Sequence, residues 1–304
     1  MGNILAVTGA SGKSGKYFLQ LLAQNHERVN RDFAGGVRIL LHKNPLTDAT
    51  MSAFVKNEQL CGELEDEKFL EGAFADVDTV VHIAGIHWSR EVVSVAAKCR
   101  VRRLIMVHTT GIYSKYKEAG EEYRNIDSYV YDTCREHNII LTILRPTMIY
   151  GTISDRNVVT FIKMVDRLPI MPVVNGARYG LQPVHFQDLS KAYLDVLFNE
   201  GITGNKDYIL SGGKEIQLRE MLVEIAKNLD KRIRFFSVPY PIAYAGALCV
   251  YGVSLTKIDF REKVKRLCEP RVYGHEDAAK DWGYAPRSFE EGIVDEVKEY
   301  RESL

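Results

Sequence analysis

The chain has 304 residues and 40 Lys and Arg against 40 Asp and Glu. It is long enough for a full core plus a second region, and it carries no global field to recruit nucleic acid or an anionic surface, so small molecules are the expected partners. Five cysteines, at 61, 99, 134, 249 and 268, are odd in number and share no short paired spacing, which excludes a disulfide framework and a zinc site as leading readings.

The apolar run at 4–7 leads into Thr8-Gly9-Ala10-Ser11-Gly12-Lys13-Ser14-Gly15, and a helical pattern carrying Phe18, Leu19, Leu21 and Leu22 comes next. Strand, glycine turn and helix in that order form a diphosphate cradle. Glycines admit the ligand close to the backbone, and the unpaired amides of the helix N-terminus face its negative charge. Gly9, Ser11, Gly12, Lys13, Ser14 and Gly15 are the cofactor-binding candidates here. Further strands are predicted at 37–41, 79–83, 104–108 and 139–144, with helices at 13–24, 67–75, 89–98 and 114–136 between them. The alternation predicts an α/β fold, a Rossmann-type doubly wound parallel sheet, over residues 1–151. Beyond residue 151, helices at 157–167, 188–199 and 218–229 and a strand at 208–210 predict a smaller C-terminal α/β substrate cap over 152–304, partly returning to the sheet. The charged stretch 25–36 is longer than such a connection needs, and its purpose is not readable.

Residues 238–255 are almost uncharged and rich in Ala, Tyr, Leu and Val, but Pro239, Pro241, Gly246 and Gly252 interrupt them. A bilayer span takes about 20 unbroken apolar residues, so the expectation is a buried helix or substrate lid and no integral membrane segment. No basic leader precedes the first strand, and Ala6 breaks the myristoylation pattern that Met1-Gly2 begins, so a cytoplasmic location is expected.

Several segments, in order over nearly the whole length, resemble the extended short-chain dehydrogenase/reductase superfamily in its NAD-dependent epimerase/dehydratase branch. They are Thr8-Gly9-x-x-Gly12-x-x-Gly15, Gly62-Glu63-Leu64, His82-Ile83-Ala84-Gly85, Leu144-Arg145-Pro146 with Tyr150-Gly151, Pro183-Val184-His185 with Asp188, Leu210-Ser211-Gly212-Gly213 and Trp282-Gly283-Tyr284-Ala285-Pro286. The resemblance implies that Glu63 and Leu64 meet the adenine, that Ala84 and Gly85 let the cofactor ribose lie on the backbone, and that Pro146, Thr147 and Met148 form a nicotinamide-side wall. His185 and Asp188 read as a structural turn with Asp188 as a helix cap. After the second strand no acidic residue stands where a ribose of NAD would be held. Lys43 there pairs with a 2′-phosphate, helped by Lys13, which favours NADP with NAD as the alternative.

Members of this superfamily polarise the substrate oxygen with a Ser or Thr and a Tyr-x-x-x-Lys pair. Thr109, Tyr113 and Lys117 supply these types, and spacing of four sets Tyr113 and Lys117 on one face if a helix begins near Tyr113. Lys117 also serves as a nicotinamide-ribose ligand in this reading. The register departs from the family pattern: counting back from Leu144-Arg145-Pro146 without gaps puts Glu118 and Glu122 in the Tyr and Lys slots. Leu181 stands where epimerases carry a diphosphate-clamping arginine, which leaves Arg156 and Arg178 as substrate-side candidates. Three readings are open. The first is an NAD(P)-dependent oxidoreductase acting on a small carbonyl or alcohol. The second is a nucleotide-sugar epimerase or dehydratase, and the third is a non-catalytic NAD(P) sensor or scaffold. Relatives of this type often pair through the helices after the fourth and fifth strands, which makes a homodimer the form to test.

Overall fold

In the computed structural model, which describes residues 2–46, 49–116, 118–155, 157–253 and 259–304, apolar runs become β1 (Ile4–Thr8), β2 (Gly36–Leu41), β3 (Asn57–Cys61), β4 (Val77–His82), β5 (Arg103–Val107) and β6 (Ile140–Pro146). Between them lie α1 (Lys13–Gln24), α2 (His26–Asp32), α3 (Glu67–Phe74), α4 (Ser89–Lys98) and α5 (Gly120–Glu136). Next come β7 (Ile149–Tyr150), α6 (Val158–Arg167), β8 (Ile170–Val174), β9 (Gly180–Leu181), β10 (Val184–His185), α7 (Phe186–Phe198), α8 (Glu200–Thr203) and β11 (Lys206–Leu210). The chain ends with β12 (Ile216–Gln217), α9 (Leu218–Asn228), β13 (Arg234–Val238), α10 (Tyr240–Val253), α11 (Arg261–Leu267), α12 (Glu276–Trp282) and α13 (Phe289–Glu302).

Seven strands form a parallel sheet in the order β11-β6-β5-β4-β1-β2-β3. Strand order reverses between β1 and β4, and the crevice at their carboxyl ends is where a doubly wound sheet takes its ligand. One face is covered by α1 and α7, whose Phe18, Leu22, Ala192 and Tyr193 are fully buried. The other is covered by α3, α4 and α5 through Leu70, Phe74, Val92 and Val130. A separate core of α6, α9 and α13, around Ile162, Met221, Ile225 and Ile293, lies beyond the sheet.

Four expectations are corrected. Strand β3, Asn-Glu-Gln-Leu-Cys, escapes a hydrophobicity reading because it is a largely exposed edge. The stretch 25–36 holds α2, tied to the end of α7 where Arg28 donates to the Phe198 carbonyl at 2.9 Å. The helix expected from residue 114 begins at Gly120 instead. Tyr113 closes a 3-10 turn, and Ser114 is extended because its hydroxyl donates to Glu269 at 2.6 Å while the Lys115 amide donates to the same carboxylate at 2.8 Å. Finally, the described part of 238–255 is not a buried helix: of the described side chains of α10, only Ala247 is buried, and residues 254 and 255 lie outside the described residues. Among the described residues no helix is long and apolar enough to cross a membrane.

The glycine turn is set by steric closeness. Gly9 has φ +73°, and a Cβ there would lie 2.5 Å from the Ala84 nitrogen; one on Gly15 would lie 2.2 Å from the Gly9 carbonyl oxygen. Both collisions are with backbone, so relief requires moving α1 or β4. Gly15→Ala is therefore expected to cost about 1–3 kcal/mol of stability and to weaken dinucleotide binding at this turn at least about tenfold, read by thermal denaturation and by nucleotide titration.

Candidate functional site

Two cavities lie side by side at the carboxyl ends of the strands. The first, 430 Å³, is lined by Gly9, Ser11, Gly12 and Ser14 of the glycine turn, by Leu41 and His42 after β2, and by Glu63, Leu64, Ala84 and Trp88. The second, 410 Å³, begins at Gly85 and runs past His108, Thr109, Tyr123, Thr147 and Met148 to Gln182, Arg266, Arg271 and Tyr273. Ala84 and Gly85, adjacent at the turn after β4, each line one of them.

His82 fixes that turn. Because the Gly85 carbonyl can only accept, the ring donates to it from Nε2 at 3.0 Å, and Nδ1 accepts from the Thr8 hydroxyl at 2.7 Å. The imidazole thus ties the ends of β1 and β4, and burial, with the nearby His108, pushes its pKa down to about 3. A small-residue floor, free helix N-terminal amides and backbone positions that reject a Cβ fit the diphosphate and ribose of a nicotinamide dinucleotide.

Of the expected cofactor residues, Gly9, Ser11, Gly12, Ser14, Glu63, Leu64 and Ala84 come together at the first cavity and Gly85, Thr147 and Met148 at the second. Gly15 packs under the turn. Lys13 turns away, its ammonium 3.4 Å from Glu299 of α13, and Lys43 is exposed one residue past His42, whose Nε2 lies 2.6 Å from Glu63. Pro146 ends β6 and accepts from the Thr110 hydroxyl at 3.2 Å through its carbonyl, holding the wall without lining it.

The catalytic and substrate candidates are rearranged. Thr109 lines the second cavity, its hydroxyl oxygen accepting from the Gly111 amide at 3.0 Å. Tyr113 is half exposed, with its ring 5.7 Å from Tyr273 at the rim. Because Ser114 is extended, Tyr113 is cut off from α5, and Lys117 and Arg156 lie outside the described residues. Glu118 and Glu122 do not fill the cavity either: Glu122 is exposed beside His87, 3.6 Å away. Instead α5 presents Tyr123 to the cavity, and Asp127, four residues on, sits beneath it. Arg178 is exposed on the turn after β8 and does not line the cavity. The guanidinium groups there are Arg266, 3.3 Å from Glu262, and Arg271, whose pKa burial and Arg266 push down to about 10.

Sequence reasoning missed the polar network behind this wall. Asp127 accepts from His108 Nδ1 at 2.6 Å and lies 2.7 Å from Arg145, which also meets Asp207 at 2.7 Å. With Nδ1 donating, Nε2 accepts from the Ser89 hydroxyl at 3.0 Å. Ser89, His108 and Asp127 are spaced as a nucleophile triad would be, yet Ser89 is fully buried and lines neither cavity, so it orients the ring. Burial outweighs Asp127 and lowers the His108 pKa. Tyr123 to Asp127 spacing on a helix was a readable signal; the His108 partnership, 19 residues apart, was not.

A sequence family described as NAD(P)H-binding matches residues 9–163, just over half of the chain. An N-acetyl-alpha-D-glucosaminyl-diphospho-ditrans,octacis-undecaprenol 4-epimerase of Escherichia coli O157:H7 is 22% identical over 81% of this chain and 84% of its own length. The mitochondrial NADH dehydrogenase [ubiquinone] 1 alpha subcomplex subunit 9 of Arabidopsis thaliana is 25% identical over 81% of this chain and 63% of its own length. A crystal structure of a dTDP-glucose 4,6-dehydratase from Streptomyces venezuelae with NAD bound superposes with a TM-score of 0.73 over 98% of this chain and 97% of that one, at 18% identity.

The buried imidazoles make stability depend on pH. His82 is held at about 3 and His185 at about 4 against an ordinary 6.5. Below about pH 6.5 the unfolded chain therefore binds protons that the native chain refuses, and stability falls as pH falls. Melting temperature should drop between about pH 7 and about pH 5, and less steeply in His82→Asn; equal slopes in the two proteins would contradict the assignment.

Proposed function

The chain belongs to the NAD(P)H-binding family, and on that premise we propose that it is an NAD(P)-dependent oxidoreductase acting on a carbonyl or alcohol carbon of a small molecule held in the second cavity. The observation that carries this reading is the adjacency of the two cavities at Ala84 and Gly85, neighbours in the chain that line one each. A dinucleotide laid along the glycine turn passes from the first cavity toward the second at this point. When bound, the cofactor supplies a hydride donor or acceptor.

The chain's own residues do the rest. The Gly9 to Gly15 turn and the N-terminus of α1 bind the diphosphate, while Glu63 and Leu64 flank the adenine end. Thr147 and Met148 wall the reacting end. The Thr109 hydroxyl and the Tyr123 phenol face the cavity and orient the substrate oxygen, one of them moving its proton. His108, fixed by Asp127 and Ser89, holds the floor behind Thr109. Arg271 gives the substrate pocket a cation, so an acidic or phosphorylated substrate is favoured over a neutral one.

That same cation supports a second reading, a nucleotide-sugar epimerase or dehydratase, in line with the names of the Escherichia coli and Streptomyces relatives. Both readings place the same residues at the site and differ in net redox. NADPH consumption over a panel of carbonyl compounds separates them. Stoichiometric oxidation carries the first; turnover of nucleotide sugars without net oxidation carries the second. Binding without any turnover would leave the sensor or scaffold role.

For the cofactor, the proposal is NADP(H), with Lys43 pairing with the 2′-phosphate. Titration calorimetry should give tighter binding of NADPH than NADH, and Lys43→Ala should remove about tenfold of the NADPH affinity while leaving NADH unchanged. Equal effects on both nucleotides would overturn the preference. Tyr123→Phe and Thr109→Ala should each lower kcat by about 100-fold, the ordinary share of a positioned proton donor, with nucleotide affinity retained. If neither does, while Lys117→Ala does, the chemistry lies with the segment before α5.

A further inference from the structure

A helix that is apolar on every side belongs inside something. α10 carries Ile242, Leu248 and Val250 at 63%, 44% and 40% exposure, and its sequence YPIAYAGALCVYGV holds no charged residue. Neighbouring elements extend the apolar surface. β13 pairs with β8 in a two-stranded ribbon, and Phe236 and Ile170 stand on it at 62% and 53% exposure. The ribbon runs into the helix, since the Tyr240 amide donates to the Asn175 side chain at 2.9 Å just past the end of β8. Exposed apolar side chains gathered on consecutive elements in this way mark interaction sites.

The flank indicates what covers it. α11 packs against α10 and reads REKVKRL; Arg261 pairs with Asp259 at 2.6 Å and Arg266 with Glu262 at 3.3 Å, so the excess of positive charge is carried by Lys263 and Lys265. Lys265 lies 5.5 Å from the Tyr244 ring and Lys263 5.4 Å from the Phe260 ring. Long basic side chains over aromatic rings beside an apolar face are what a membrane interface selects, with rings at headgroup depth and ammonium groups at the phosphates. The chain's overall neutrality hides this local excess. A second copy of the chain would cover the apolar face, but wherever the two-fold axis passes near α11 it sets cation against cation, whereas an anionic bilayer pairs with those cations in any position. At 14 residues, about 21 Å, the helix is too short to span a hydrocarbon core of about 30 Å and long enough to lie in its surface.

We propose that α10, with the β8–β13 ribbon and α11, is a docking surface for an anionic phospholipid bilayer. The test is flotation of the purified full chain with vesicles of phosphatidylcholine and phosphatidylglycerol, compared with phosphatidylcholine alone. The chain should float with the mixed vesicles, less as salt rises, and little with the neutral ones. Ile242→Glu with Leu248→Glu should lower the vesicle-bound fraction at least about tenfold. Lys263→Glu with Lys265→Glu should do so by a similar factor at low salt. NADPH titration of both variants should match the parent, showing that the fold is kept. Failure of the parent to float with mixed vesicles overturns the proposal, as does flotation of both variants like the parent. Light scattering in the absence of lipid that shows a dimer abolished by the Ile242/Leu248 pair, with no flotation, assigns the face to self-association instead.

Discussion

Arg145 is the charge on which the layout of the site depends. Its guanidinium is almost completely buried on β6, between Asp127 of α5 and Asp207 of β11. Taking such a charge out of water is tolerable only when its partners stay in place, and removing one partner of a buried pair costs about 3–5 kcal/mol. The pairings therefore lock α5 against the sheet and bring a strand from the second half of the chain to its edge. Because Asp127 shares its carboxylate with His108, the same lock sets the end of β5, where Thr109 enters the cavity. Tyr123, one turn before Asp127, takes its position from it.

The legible part of the sequence was local. The glycine turn, its strand and its helix declare themselves within a dozen residues, because the constraint is steric and acts between neighbours. The strands of β-branched residues were readable for the same reason. The start of α5 was not: Ser114 and Lys115 are held by Glu269, about 150 residues later, and no periodicity in 114–119 reports that. The cationic side of the cavity obeys the same rule. Arg178 is near the expected motif in sequence, whereas Arg271 reaches the cavity through a backbone bond from its amide to the Gly180 carbonyl at 2.9 Å. For α10 the failure is of another kind. Apolar content without a moment distinguishes neither a core helix from an uncovered one nor a lid from a landing surface.

The electrostatics of the glycine turn are shared with the far end of the chain. Lys13, which a phosphate reading would reserve for ligand, is engaged by the half-exposed Glu299 of α13 at 3.4 Å. Such a pair is worth little in water, so a bound phosphate competes with it readily. Two residues of α13 reach the same region: Glu299 also accepts from the Ile153 amide at 3.1 Å, and Glu296 accepts from the Gly151 amide at 2.8 Å. The loop after β7 and the glycine turn are thus supported from one helix.

Glu296 carries a consequence of its own. It has no exposed surface and its side chain meets that of Asp155; among the described residues its Oε1 has no other hydrogen-bond partner. Burial and the neighbouring Asp155 raise its pKa far above the carboxylate range, so Glu296 holds a proton at neutral pH. In the unfolded chain Glu296 would be ionised. Folding in neutral solution consequently takes up a proton from the buffer, and the heat of unfolding measured in phosphate and in an amine buffer will differ by the difference in their ionisation enthalpies.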